Sequence, residues 1–139
     1  MKVSTYSTLR PGAMFPAGCS SRTLLDHVTS KWGVLILVAL SEGPHRWSGL
    51  RQRAEGISEK MLAQTLKILE RDGLVHREQQ PVIPPRVDYS LTAKGHELTA
   101  LLLPLFGWTL DNAEEIIGHQ QVQAATLNGR LENPSVASA

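Results

Sequence analysis

The first regular pattern of apolar and polar positions lies between Ser21 and Val28, where Leu24, Leu25 and Val28 share one face behind serines able to cap a helix. The stretch predicts a short amphipathic helix. "SKWGVLILVALSEGP" follows, opened by Ser30, closed by Gly43 and Pro44, and apolar all round at its centre. A helix with no polar face belongs in a core, so this segment is expected to be central and buried. "HRW" then reads as an extended link. "SGLRQRA" reads as a small helix capped by Ser48, with Leu50 inward and Arg51 and Arg53 toward solvent. The clearest helix is "GISEKMLAQTLKILERDG", with Ser58 as N-cap and Gly73 in the C′ position that favours left-handed backbone. At about 100° per residue, Leu62, Leu66 and Leu69 fall on one face and Lys60, Gln64, Lys67 and Arg71 on the opposite one.

"LVHREQQ" and "RVDYSL" read as two strands around the loop "PVIPP", which predicts a hairpin. Pro81, Pro84 and Pro85 cannot donate backbone hydrogen bonds and each fixes one dihedral. They are expected to hold the tip open and extended, with Arg86 pointed outward. From Ala93 a long apolar-rich helix carries Leu98, Leu101, Leu102, Leu105 and Phe106, then Leu110, Ile116 and Ile117. Its apolar band is broader than a small core needs. Pro104 inside it predicts a kink or break, because proline removes one helical bond and clashes with the preceding turn. Residues 1–18 and 119–139 show no such periodicity and are expected to be flexible arms flanking one folded domain over 19–118.

The length of 139 residues fits a single domain, and 42% apolar with 19% charged residues is an ordinary globular balance. The apolar runs are far shorter than the roughly 20 residues a spanning helix needs. "FPAGC" lacks the continuous apolar stretch that a lipoprotein signal carries before its cysteine. A soluble, cytoplasmic protein without membrane association is therefore expected. One cysteine, Cys19, cannot form an internal disulfide. The net charge of +1 becomes informative once divided along the chain. Residues 31–94 hold ten Lys/Arg against seven Asp/Glu, a net of +3, whereas residues 95–139 hold one against five, a net of −4. The basic excess coincides with the helices and hairpin of the middle segment.

The element order is helix, helix, link, short helix, turn, polar-faced helix, hairpin, long helix. It predicts a mainly α fold with a small β-hairpin, a winged helix-turn-helix. In that arrangement the short helix supports the helix from Ser58, whose polar face can enter the major groove of double-stranded DNA. Lys60, Met61 and Gln64, near its start, are candidates for base contact. Lys can reach guanine, Gln can pair with adenine, and Met can touch a thymine methyl. Lys67 and Arg71 fit phosphate, and Ser48, Arg51 and the helix N-termini add further phosphate contacts.

"KWGVLILVALSEGPHRWSGLRQ", "GISEKMLAQTLKILERDGLVHRE" and "PPRVDYSLTAKG", in this order and spacing, resemble the HxlR-type branch of the winged helix transcriptional regulators, broadly similar to the MarR regulators. The resemblance runs from about Cys19 to Trp108. It implies a homodimer built from terminal dimerisation helices and bound to an inverted repeat; a repressor that a small molecule or thiol chemistry releases is expected. The interface would be built on Leu98, Leu101, Leu102, Leu105, Phe106 and Trp108. It also implies that the helix from Ser58 reads the major groove and that Arg86 reaches the neighbouring minor groove. Many members carry a cysteine just before the first helix, usually followed by proline, and in several it senses oxidants or electrophiles. Cys19 matches the position, but Ser20 and Ser21 follow it. Two readings stand, a reactive thiol at a helix N-terminus and a small buried apolar residue.

An enzyme is not expected. The histidines at 27, 45, 76, 96 and 119 show no metal-ligand spacing, no Gly-rich phosphate loop is present, and no cofactor or metal is implied. The competing function is a winged helix used for protein contact. The Lys-bearing face of the long helix weighs against it, since such contacts favour aromatic residues and avoid Lys.

Overall fold

The computed structural model describes residues 18–118, 120, 126 and 127. Nearly all of the arms expected at 1–18 and 119–139 lies outside the described residues. Helix α1 spans Ser20–Thr29, and its N-cap is Cys19, whose Sγ accepts the Arg22 N–H at 3.4 Å. Capping by the serines is thereby corrected, because Ser20 and Ser21 sit inside the first turn. Ser30 does cap α2, Lys31–Ser41, accepting the Gly33 N–H at 3.1 Å. The two helices meet at 70° across it. Ile36, Leu37 and Leu40 of α2 are buried to within 1% of full burial, each stabilising the fold by about 1.5–3 kcal/mol.

His45–Arg46, expected as a link, form strand β1 and pair with the last strand of the sheet through His45↔Tyr89 and Arg46↔Asp88. The hairpin therefore belongs to a three-stranded antiparallel sheet. Strand β1 runs directly into α3, Trp47–Arg53, so Arg46 takes the N-cap place and Ser48 falls in the first turn. The expected capping by Ser48 does not occur; the strand pairing sets where the helix begins. Leu50 is fully buried beneath it.

Helix α4, Glu59–Arg71, starts at Ser58, whose Oγ accepts the Met61 N–H at 3.1 Å. After it the chain turns at Gly73, where φ is +75°, a region that a side chain disfavours. Leu62, Leu66 and Leu69 are buried as the periodicity requires. β2, Val75–Gln80, and β3, Arg86–Leu91, pair in register from Val75↔Leu91 to Gln80↔Arg86, and the strand order is β1-β3-β2.

Thr92 locks the sheet to α5, Ala93–Ala113. Its hydroxyl donates to the Gly73 carbonyl at 2.6 Å and accepts the Gly95 N–H at 3.1 Å. Gly95 lies so close to the Leu74 carbonyl that any Cβ would be driven into it. Helix α5 is not broken at Pro104, which it carries inside an unbroken span. Pro104 is exposed, and at an exposed position water can satisfy the carbonyl that loses its helical partner. A π-helical turn, Glu114–Gly118, follows.

The described residues form two compact units, one ending at Thr99 and one starting at Ala100. The first holds the core and the sheet. In the second, Leu102 is buried, while Leu101, Leu103, Leu105, Trp108 and Leu110 are exposed. Among the described residues no single helix is long and apolar enough to cross a membrane.

Candidate nucleic-acid interface

Helix α4 divides its residues cleanly. Its inner face is anchored by Leu62, Leu66 and Leu69, and this fixes the outer face, on which Lys60, Met61, Gln64, Lys67 and Arg71 are all exposed. Among the described residues Lys60, Lys67 and Arg71 form no ion pair, so their charges are open to a polyanion. Glu59 in the first turn is engaged elsewhere. Arg51 of α3 donates to it at 3.1 Å, between side chains that are 45% and 72% exposed. A pair that exposed is worth about 0–1 kcal/mol, so Arg51 remains available to a phosphate at little cost.

The expected support and wing residues converge. Ser48 lines one cleft with Arg51 and Gln52, and a second, of about 620 Å³, with Arg46, Pro84, Pro85 and Arg86. Arg46 was not singled out by sequence because nothing local distinguishes it. It reaches the cleft because β1 pairs with β3. Arg86 is exposed at the base of the loop, and it is also engaged. It donates to Asp88 Oδ2 at 3.2 Å, an oxygen that also accepts from Gln80 Nε2 at 3.2 Å. The two residues lie one pleat apart on the same strand face, which brings the groups together. At the tip itself stands Ile83, 99% exposed beside Val82.

A further link was invisible in the sequence. His27 Nδ1 donates to Asp72 Oδ2 at 2.7 Å, tying the last turn of α1 to the C-cap of α4. The side chains are 29% and 17% exposed, so the pair is partly shielded. Asp72→Ala is expected to cost about 1 kcal/mol, read as a lowered urea midpoint with unchanged slope.

Cys19 itself is half-buried at the N-terminus of α1, where its sulfur takes the place of a capping hydroxyl. Of the residues named for a dimer contact, Leu101, Leu105 and Trp108 are exposed, Leu98 and Phe106 are half-buried, and Leu102 is buried.

A family model described as "HxlR-like helix-turn-helix" matches residues 27–117, which contain α2, the sheet, α3, α4 and all of α5. The chain belongs to the HxlR-like helix-turn-helix family. The HTH-type transcriptional regulator YtfH of Escherichia coli (strain K12) is 48% identical over 124 residues, covering 89% of this chain and 98% of its own. The solved structure of ytfH from Salmonella typhimurium superposes with a TM-score of 0.72 at 47% identity, over 79% of this chain and 98% of that one. The redox regulator HypR, in its oxidized form, gives a TM-score of 0.63 at 34% identity, over 68% and 97%. The HxlR-like family consists of winged helix transcriptional regulators, and this chain is a DNA-binding regulator of that kind.

Proposed function

We propose that this regulator is a cytoplasmic homodimer that represses transcription by holding an inverted-repeat operator, and that it catalyses no reaction. The observation that carries this reading is the outer face of α4. Lys60, Lys67 and Arg71 are exposed there without ion pairs, beside the amide of Gln64 and the thioether of Met61. Lys60, Met61 and Gln64 are assigned to base edges, Lys67 and Arg71 to phosphate, and Ser48, Arg51 and Arg86 to the backbone and minor groove beneath the wing. Exposed Leu101, Leu105 and Trp108 support dimerisation through α5, because apolar surface of this kind marks a contact. Use of the winged helix for protein contact is disfavoured by the lysines of α4.

Release of the operator by a small molecule or by oxidation of Cys19 completes the proposal. The half-buried thiol at a helix N-terminus supports the second route, as does likeness to a redox regulator. Selection of DNA from a random pool, at fixed salt, should enrich an inverted repeat that sediments with two chains per duplex. Enrichment of no sequence, or one chain per duplex, would count against the reading. An oxidant should weaken wild-type binding and spare Cys19→Ser; equal responses would end the thiol route.

A further inference from the structure

Helices α1 and α2 diverge at 70° from Ser30, and α4 packs across α2. The corner left between α1 and α4 is a cavity of about 200 Å³, lined by Asp26, His27 and Ser30 from one side and Met61, Gln64, Thr65, Ile68 and Leu69 from the other. Its floor is apolar. Its polar groups are unequal in their commitments. Ser30 is spent as the α2 cap and in donating to the His27 carbonyl at 3.1 Å, and His27 is held by Asp72. Asp26 and Gln64 have no partner among the described residues.

Thr65 is the unusual member. The residue is 7% exposed, and among the described residues its hydroxyl bonds no protein group, whereas Thr23, Thr29, Thr99 and Thr109 each return theirs to a carbonyl one turn back. Among the described residues no buried side-chain polar atom lacks a partner, so this hydroxyl opens onto the cavity, where it is free to bond a ligand.

We infer that this cavity is a binding site for a small single-ring compound, neutral or cationic, that carries hydroxyl or amino donors. Size sets the first limit. A cavity of about 150 Å³ accommodates benzene, so this one has room for one substituted ring. Chemistry sets the second. The wall carries the Asp26 carboxylate and no Lys or Arg, so an anionic ring is repelled, while a donor finds Asp26, Gln64 and the Thr65 hydroxyl. The consequence for DNA rests on the function proposed above. Met61 and Gln64 belong both to this cavity and to the outer face of α4, so the ring and the operator compete for the same side chains.

The test uses the full chain without DNA first, by NMR titration with resorcinol, benzylamine and benzoate. Resorcinol and benzylamine should perturb the amides around Asp26 to Ser30 and Met61 to Leu69, with benzoate much weaker. Thr65→Val keeps the shape and should leave the thermal midpoint nearly unchanged, because the hydroxyl it removes bonds no protein group among the described residues. It should weaken resorcinol about five- to tenfold, the worth of one hydrogen bond. Asp26→Asn, on the exposed side of α1, should weaken benzylamine and leave resorcinol nearly unchanged. No perturbation at millimolar probe, equal binding of benzoate, or indifference to Thr65→Val would overturn the site. Saturating resorcinol should then lower the affinity for the selected DNA, and unchanged affinity would overturn the competition. Because the first titration contains no DNA, failure of the site and failure of the operator reading are separable.

Discussion

Leu62→Ala is expected to destabilise the unit ending at Thr99 by about 2–5 kcal/mol, the range for emptying a filled core position. Leu62 is fully buried at the centre of the inner face of α4, between Ser58 and Leu66 in sequence and with 0% of its surface exposed. Leu37, Leu50 and Leu69 of the same core are likewise buried to within 1%, as close packing requires. A domain of this size is stable by roughly 5–15 kcal/mol, so the loss is a large fraction of the total. Thermal unfolding followed by circular dichroism should show the midpoint falling by about 10 °C or more. Lys60→Ala on the opposite face of the same helix is the control. A fall in Leu62→Ala no larger than that of the control would mean that α4 is not held by its inner face.

The second large effect belongs to the outer face. Gln64→Ala is expected to weaken binding to the selected operator by about 1–3 kcal/mol, roughly a 5- to 150-fold rise in Kd, while leaving binding to random DNA within about twofold. Gln64 is exposed and makes no internal hydrogen bond, so truncating it should not disturb the fold. Its amide offers a donor and an acceptor side by side, the pattern that adenine presents in the major groove. Fluorescence anisotropy at one salt concentration reads both affinities. Equal weakening on the two DNAs would reassign Gln64 from base contact to nonspecific support. Lys67→Ala provides the contrast, since removing a phosphate-binding charge should weaken both DNAs and flatten the salt dependence.

The same two faces explain how much could be read before the structure. The α4 division follows from periodicity alone, because 3.6 residues per turn place Leu62, Leu66 and Leu69 together whatever surrounds them. Its ends follow from local chemistry too, Ser58 as an acceptor for a free N–H and Gly73 as a residue at ease with positive φ. The wing was legible for the same reason. Prolines at 81, 84 and 85 exclude a continued ladder, and the alternation from Val87 to Leu91 after them favours a strand.

Where the reading failed, the deciding partner was distant in the chain. His45–Arg46 are too few to show alternation, and they became a strand only because Tyr89 and Asp88 came alongside. That pairing moved the start of α3 to Trp47 and displaced Ser48 from its cap. At α1, by contrast, the competition was local, and Cys19 took the cap from the neighbouring serines by a shift of one residue. Pro104 was expected to kink or break the helix, and of the two the break does not occur, since α5 runs through it.

By itself, then, the sequence determined the helices, the buried positions of α2 and α4, the caps at Ser30 and Ser58 and the proline-bounded wing, since each depends on neighbours within a few residues. Leu24 and Leu25 of α1, by contrast, are exposed. The tertiary structure alone decided that Arg86 is tethered to Asp88, that Arg46 shares its cleft, that His27 reaches Asp72 across 45 positions and that Thr65 faces a cavity with its hydroxyl unspent. The physical reason is reach. Backbone periodicity assigns a side chain to a face, but what it meets there is set by the packing of segments far apart in the chain.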